Sequence, residues 1–301
     1  MSLFQQLIVR TLPLVPKFIV GRVASRYVAG ETVEDALRLI ARLNAEGAMA
    51  TMDLLGEEVL DPAKAEANVR EYQRMLEEIA ARKVDANISV KPTSLGLKID
   101  QETLERNLDQ IATTAGKLGN FVRIDMEDHT TIDATLAAYR ALQPKHGNLG
   151  VVFQAYMRRT LADIAALPAE KANIRLCKGI YIEPRAVAWK GYETVQLAFV
   201  AALEKALRQG VYVGIATHDE YLCCAAVRLV DRLGVPRDRY EFQMLLGVDA
   251  GLRRILLAGG HRLRVYVPYG RDWYPYSMRR LRENPEVAIH VMRAFLGLGG
   301  R

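Results

Sequence analysis

Polar side chains lie at the ends of several short apolar runs in this sequence of 301 residues. They are Lys91 in the second run, Asp125 and Glu127 in the third, Gln154 in the fourth, Lys178 in the fifth and His218 in the sixth, and Arg175 lies inside the fifth run. One such residue alone is commonly solvated or paired with a neighbour. Several at consecutive strand ends are costly to bury unless they bind a ligand, so the pattern predicts a site assembled from distant parts of the chain.

A second group of reactive residues lies in the stretch PYSMRRLRENP near the C-terminus. Tyr276, Arg279, Arg280 and Glu283 follow the spacing i, i+3, i+4 and i+7, which places them on one face of a helix. Two adjacent guanidiniums can bind one carboxylate, while a ring one turn earlier covers apolar atoms of the same ligand. A solvated face with Arg–Glu pairs is the alternative interpretation.

Metal and Rossmann-type nucleotide sites are not indicated. The five histidines show no spacing typical of metal ligands. They are His129, His146, His218, His261 and His290. No GxGxxG follows the first strand, so any dinucleotide would be held by other loops. The adjacent Cys223 and Cys224 lie within a predicted helix and lack redox spacing, and three cysteines in all favour a reducing compartment, the cytoplasm.

The elements that position these residues alternate between strand and helix patterns. The strand-like runs are AMATMDLL near residue 50, ANISVKP from Ala86, FVRIDME from Phe121, GVVFQAY from Gly150, NIRLCKG from Asn173, VYVGIAT from Val211, YEFQMLLG from Tyr240 and LRVYVPYG from Leu263. Eight βα units predict a (β/α)₈ TIM-type barrel over residues 32–301, with its active-site mouth at the carboxyl ends of the strands. A doubly wound open sheet is the alternative.

Residues 1–31 differ from the rest of the chain because no acidic residue precedes Glu31. The segment is basic and amphipathic, and Pro13 and Pro16 divide it into two short helices that pack on the barrel or rest on an anionic membrane. The net charge of +6 alone does not indicate nucleic-acid binding, because basic and acidic residues are interleaved. No membrane-spanning run or signal peptide is present, so we expect a cytoplasmic protein, with the inner face of the cell membrane as a peripheral contact.

The ordered motifs SVKPTSLG, RIDMED, VFQAY, IRLCKGIYIEP, GIATHD and Y...RRLREN resemble the barrel of the proline dehydrogenase family. The resemblance extends from about Ala86 to Asn284. It implies an FAD-dependent barrel enzyme whose final helix lies over the mouth of the barrel. It also implies that L-proline is oxidised to 1-pyrroline-5-carboxylate by hydride transfer to flavin N5, as the first step from proline to glutamate.

The resemblance also assigns individual residues. Substrate would be bound by Lys91, Asp125, Tyr266, Tyr276, Arg279 and Arg280, with Glu283 supporting the arginine pair. FAD would be bound by Gln154, Arg175, Lys178, Gly179, Thr217 and His218. Asp125 and Arg175 would be catalytic, with Arg175 near flavin N5 and Lys91 paired with Asp125 beneath the ring.

Partners follow from the same resemblance. Electrons would pass to a membrane quinone, with residues 1–30 as the docking segment, and a separate dehydrogenase would consume the pyrroline product, since no such module follows in the sequence. Two other activities stay open: a Schiff-base aldolase or lyase using Lys91 or Lys178, and a hydroxyproline dehydrogenase of the same family. A non-catalytic binding module is disfavoured by the mixed signs of the strand-end charges.

Overall fold

The computed structural model describes residues 21, 26–168 and 171–283. Eight parallel strands close into a barrel in sequence order. They are β1 (Met49–Leu54), β2 (Ala86–Val90), β3 (Val122–Ile124), β4 (Leu149–Gln154), β5 (Asn173–Cys177), β6 (Tyr212–Ala216), β7 (Tyr240–Leu245) and β8 (Leu263–Tyr269). All eight predicted strands are confirmed, and the pairing of β1 with β8 excludes the open sheet.

A helix follows every strand, and one more precedes β1. The helices are α1 (Val33–Ala45), α2 (Pro62–Arg82), α3 (Gln101–Lys117), α4 (Ile132–His146), α5 (Thr160–Ala165), α6 (Tyr192–Arg208), α7 (Glu220–Arg232), α8 (Ala250–Ala258) and α9 (Trp273–Glu283). Two short 3₁₀ helices, Pro92–Leu95 and Arg237–Arg239, complete the described elements. Within the described ranges, no helix combines the length and the hydropathy needed to cross a bilayer.

Side-chain caps define where several helices begin. Thr32 and Asp35 form a reciprocal capping box at the start of α1, with the Thr32 hydroxyl accepting from the Asp35 N–H at 3.2 Å. Asp100 accepts from the Thr103 N–H at 2.6 Å at the start of α3. Such caps satisfy backbone donors that the helix itself leaves unpaired, so they fix the first residue of these helices.

The apolar core lies between the outer face of the barrel and the surrounding helices. Outward-facing strand residues such as Ile88, Val151 and Val213 are fully buried and belong to one continuous cluster with helix residues such as Leu108 and Phe199. Burial of this apolar surface is the main stabilising contribution expected for the fold. The helices therefore support the barrel, which in turn positions the polar side chains at the carboxyl ends of its strands.

The inside of the barrel is polar, unlike the layers of branched aliphatic residues common in this architecture. Arg264 of β8 donates from Nε to Glu241 of β7 at 2.7 Å. Arg123 of β3 donates from Nη1 to the carbonyl oxygen of Asn173 on β5 at 2.8 Å. Burying a charged group is costly unless it is paired or hydrogen-bonded; Arg264 has its ion pair with Glu241, and Arg123 has hydrogen bonds to Asn173.

The predicted N-terminal segment, residues 1–31, falls mostly outside the described residues. Of its described part, Tyr27 and Val28 are buried, and the Ala29 N–H donates to the carbonyl of Pro268 at 2.9 Å. Residues 26–30 therefore lie against the end of β8, beside the mouth of the barrel.

Candidate active site

Asp125 lies at the centre of the polar cluster at the carboxyl ends of the strands. It follows the last residue of β3, and its Oδ1 accepts hydrogen bonds from Ser89 of β2 at 2.7 Å and from Arg175 of β5 at 2.6 Å. Its Oδ2 accepts from the Tyr266 hydroxyl of β8 at 3.1 Å. One carboxylate thus joins side chains from four strands, as the strand-end pattern predicted.

Arg175 is held at two points of its guanidinium group. Nη1 donates to Asp125 and, at 3.2 Å, to the Ser89 hydroxyl, while Nε donates to Oε1 of Gln243 at 2.5 Å. The guanidinium lies over the Tyr266 ring, 5.3 Å from its centre. A cation fixed in this way at the mouth can stabilise negative charge that develops on a bound group.

The predicted pair between Lys91 and Asp125 is wrong. Lys91 follows the last residue of β2 and donates from Nζ to Asp53 of β1, a carboxylate that is fully buried. Asp125 is instead paired with Arg175, whose side chain crosses the inside of the barrel from β5. Burial alone would lower the pKa of Lys91, but the adjacent Asp53 raises it above its usual value, so the amine is protonated.

The residues predicted to bind a cofactor lie around the ends of β4, β5 and β6. Gln154 is buried and donates from Nε2 to the carbonyl of Glu127 at 2.8 Å, but its Oε1 has no hydrogen-bond partner among the residues that the structure describes. Lys178 contacts Asp219 at 3.2 Å and lies over the ring of Tyr192. A buried amide oxygen without a partner is a candidate acceptor for a hydrogen bond from a ligand.

Thr217 and His218 follow the last residue of β6. The Thr217 hydroxyl accepts from the Asp219 N–H at 3.1 Å. Nε2 of His218 accepts from the Leu245 N–H at 2.7 Å, so Nδ1 carries the proton in the neutral ring. Both side chains are thus oriented by the backbone next to the mouth.

Both the backbone conformation at position 179 and the nearby Tyr156 ring require a residue without a side chain, which is Gly179. Its φ is +115°, and a β-carbon at this position would lie 2.3 Å from the Tyr156 ring. The loop after β5 therefore passes close to Tyr156 and exposes bare backbone beside Lys178.

The C-terminal helix predicted to carry the arginine pair is confirmed as α9. Tyr276 is buried in a small cluster with Val28 and Leu55. The side chains of Arg279, Arg280 and Glu283 lie outside the described residues, so their assigned roles stay predictions. The helix itself begins four residues after the end of β8, at the mouth of the barrel.

Other polar residues near the mouth have structural roles. Glu127 accepts from the Thr93 N–H at 2.8 Å and from its hydroxyl at 2.6 Å, which ties the loops after β2 and β3 together. Burial raises the pKa of the Cys177 thiol to about 11, so it is protonated at neutral pH. Among the described residues, no group of three metal-binding side chains occurs.

Three site residues were missed in the sequence: Asp53, Ser89 and Gln243. Asp53 is the only acidic residue in the first strand-like run and lies one residue before its end. Gln243 alternates with Glu241 in the run YEFQML, and such alternation places both on the inner face of β7. Polar residues at every second position of a strand are therefore the sequence signal that indicates Glu241 and Gln243 as inward-facing residues.

Comparison with known proteins agrees with this architecture. The proline dehydrogenase family model matches residues 36–293. The chain is 37% identical over 273 residues to "Proline dehydrogenase 1" of Bacillus subtilis (strain 168), covering 91% of this chain and 90% of that protein. It is also 37% identical over 278 residues to the "Proline dehydrogenase" of Deinococcus radiodurans, with the same shares covered.

The fold is also similar to that of a solved structure, proline utilization A (PutA) from Bdellovibrio bacteriovorus inactivated by N-propargylglycine. The TM-score is 0.82 at 23% identity, covering 87% of this chain and 32% of that one.

The closed parallel barrel and the charged cluster at its carboxyl end define a (β/α)₈-barrel enzyme. The chain belongs to the proline dehydrogenase family, which is a family of oxidoreductases.

Proposed function

We propose that the protein is an FAD-dependent enzyme that oxidises L-proline to 1-pyrroline-5-carboxylate. The observation that carries this proposal is the cluster in which Arg175, Tyr266 and Ser89 converge on Asp125 at the mouth of the barrel. Family membership supplies the reaction class. The cluster supplies a fixed cation, a carboxylate and an aromatic surface within one small volume.

The residues around β4 to β6 fit FAD. Gln154 offers a buried Oε1 that has no partner within the described ranges, Gly179 offers close approach to backbone, and Lys178 offers a cation. Thr217 and His218 adjoin them on the β6 side. When bound, FAD would accept a hydride at N5 from the carbon next to the proline nitrogen.

Arg175 would then act by electrostatics. Its guanidinium keeps a fixed orientation at the place where negative charge develops on the reduced cofactor. Asp125 holds Arg175 and the Tyr266 hydroxyl in a common arrangement and keeps water from competing for their hydrogen bonds.

Substrate binding is assigned to residues on both sides of this cluster. We infer that Arg279 and Arg280 bind the proline carboxylate, with Glu283 supporting them, and that Tyr276 covers the ring. Lys91 and Tyr266 would line the opposite wall. The Lys91 ammonium is neutralised by Asp53, so its assigned role is to donate a hydrogen bond and not to add net positive charge.

The Schiff-base alternative is disfavoured by the state of the lysines. A nucleophilic lysine must be neutral. Lys91 is buried against Asp53, which raises its pKa, and Lys178 is paired with Asp219. The Tyr266 hydroxyl already donates to Asp125. The added hydroxyl of hydroxyproline would have to compete with Tyr266 for that carboxylate, so proline is the preferred substrate.

The cellular setting proposed for the enzyme follows its chemistry. We propose a cytoplasmic protein that contacts the inner face of the cell membrane, where a quinone accepts the electrons. The pyrroline product would pass to a separate dehydrogenase. Deletion of residues 1–25 tests the docking role, because it spares Val28 beside Tyr276 and the contact of Ala29 with β8. Loss of liposome binding and of quinone turnover in a deletion variant that still folds would support the docking role.

Turnover with a quinone analogue tests the proposed activity. L-proline should yield a product lighter by two hydrogen atoms, and pyrrolidine, which lacks the carboxylate, should react far more slowly. Arg280→Met should raise the KM for proline about 100-fold and abolish the preference over pyrrolidine, because charge-assisted bonds to the carboxylate are lost. A covalent lysine adduct trapped by borohydride with substrate would instead favour the Schiff-base alternative.

A further inference from the structure

A continuous chain of hydrogen bonds joins the bottom of the barrel to Arg175 at the mouth. Arg264 donates to Glu241, Nε2 of Gln243 donates to Oε1 of Glu241 at 2.6 Å, and Oε1 of Gln243 accepts from Nε of Arg175. All four side chains are buried. Through Gln243, the chain links the Arg264–Glu241 ion pair to Arg175, the cation proposed to act on the cofactor.

The contact between Gln243 and Arg175 spans strands that are not neighbours. Arg175 lies on β5 and Gln243 on β7, and β6 runs between them. In the sheet register Gly214 of β6 pairs with Arg175, and a β-carbon on Gly214 would lie 2.4 Å from Nε2 of Gln243. The contact is therefore possible only because β6 carries no side chain at this level.

Glu241 determines which way the Gln243 amide points. A carboxylate can only accept hydrogen bonds, so Nε2 must face Glu241 and Oε1 must face Arg175. Glu241 is itself held by Arg264 and by the Tyr212 hydroxyl, which donates at 2.8 Å. Burial alone would raise the pKa of Glu241, but Arg264 and the hydrogen bonds it receives lower it to about 2, so the carboxylate stays ionised.

The effect on Arg175 is to fix the plane of its guanidinium. Asp125 and Ser89 hold Nη1 on one side, and Gln243 holds Nε on the other. Without Gln243 the group keeps its anchor on Asp125 but can rotate about it. An error of about 1 Å in a catalytic group can cost about 100-fold in rate.

We propose that Gln243, oriented by Glu241 and accommodated by Gly214, is a positioning residue that sets the orientation of Arg175. The proposal rests on the proposed function, in which Arg175 acts on the bound FAD. It adds that the inner polar layer of the barrel is part of the catalytic apparatus, although only Arg175 reaches the mouth.

Gln243→Met tests the proposal because it keeps the length of the side chain and removes both hydrogen bonds. We expect kcat to fall at least tenfold with little change in the KM for proline, since the carboxylate is bound elsewhere, and the midpoint potential of the bound flavin to shift. Gln143→Met is the matched control. Like Gln243, Gln143 is a buried glutamine whose side chain makes two hydrogen bonds. Its partners are backbone atoms, and it lies on α4, away from the site.

Gln243→Glu provides a pH readout that a packing role would not. A protonated carboxyl at this position has one donor and one acceptor and can replace the amide, whereas an ionised one faces Glu241 with the same charge. The charged groups around it are Glu241 of β7, Arg175 of β5, Arg264 of β8 and Arg123 of β3. We expect kcat of this variant relative to the native enzyme to decrease as pH rises.

Gly214→Ala displaces Gln243 without changing its chemistry, and it should give the same fall in kcat. Crystal structures of Gln243→Met and Gly214→Ala test the positioning directly, because the Arg175 guanidinium should rotate away from its native orientation. Unchanged orientation in both structures, or native kcat and potential in Gln243→Met, would overturn the proposal. Displacement of Arg175 in a protein that never oxidises proline would instead refute the proposed function and leave the positioning intact.

Discussion

Arg175 and Asp125 form an ion pair of 2.6 Å between strands that do not neighbour each other, β5 and β3. The pair therefore crosses the mouth of the barrel above β4. Because Asp125 also accepts from Ser89 and Tyr266, the position of one guanidinium depends on side chains of four strands. This arrangement makes the site sensitive to single conservative changes.

Asp125→Asn should lower kcat/KM for proline about 100-fold. The amide keeps the shape of the carboxylate but removes its charge, and a hydrogen bond to a charged group contributes about 1.5–3 kcal/mol. Tyr266→Phe removes only one of the donors and should cost about tenfold or less. Steady-state kinetics measure both, with Asp109→Asn on the surface as the control. An Asp125→Asn enzyme with native kcat/KM would show that the ion pair is not needed for catalysis.

Breaking the Lys91–Asp53 pair should destabilise the fold strongly. Asp53→Leu or Lys91→Met leaves the other member of the buried pair without its partner, at a cost of about 3–5 kcal/mol in the free energy of unfolding. The double variant Lys91→Met with Asp53→Leu should recover most of that loss, because an apolar pair needs no partner. Urea unfolding of the three variants measures this.

The same double variant separates stability from binding. It should still show a raised KM for proline, since Lys91 is assigned to the substrate wall. Additive losses of stability in the double variant would mean that the two residues do not act as a pair.

The sequence was sufficient for the fold and for the position of Asp125 and Arg175 near the carboxyl ends of the strands, but not for the pairing of the charged side chains. Each strand-like run carries strong local signals, and the parallel order follows from alternation with helices. Lys91 and Asp125 lie at the ends of adjacent strands, which made their pairing plausible. Their true partners, Asp53 and Arg175, depend on how far each side chain reaches across the barrel, and a strand-by-strand analysis contains no such distances.

The inner layer was missed for a different reason. Glu241 and Gln243 lie in the middle of an apolar run and belong to no motif of the family resemblance. In barrels with aliphatic interiors such residues would be rare. Here Gly150 and Gly214 leave the space that Arg123 and Gln243 occupy, and this complementarity is visible only in three dimensions.

His261 should make the fold less stable in weak acid. Burial, together with the adjacent Arg237, lowers the pKa of His261 below its usual value of 6.5. Its neutral form therefore stabilises the native state fully above pH 6.5, and this contribution is lost as pH falls through the lowered pKa. The difference in unfolding free energy between the native protein and His261→Gln should shrink between pH 8 and pH 5. Equal pH dependence of both proteins would contradict the assignment.

Gly179→Ala should weaken retention of FAD. A side chain here strains a backbone with φ of +115° and meets the Tyr156 ring, so the loop beside Lys178 must move. Gly210→Ala is the matched control, because Gly210 also has a positive φ, +75°, but nothing lies within 4 Å of the added carbon. The flavin-to-protein absorbance ratio after gel filtration should fall only for Gly179→Ala. An equal flavin-to-protein ratio in both variants would show that Gly179 does not contribute to FAD binding.

The most direct test of the proposed function is the absorbance spectrum of the purified protein from 300 to 550 nm, before and after L-proline is added without oxygen. Flavin bands should be present and should bleach with L-proline, and this bleaching should be much slower in Asp125→Asn. A protein that stays colourless after incubation with FAD, or whose flavin bands are unchanged by L-proline, would contradict the proposal that this barrel oxidises proline through a bound flavin.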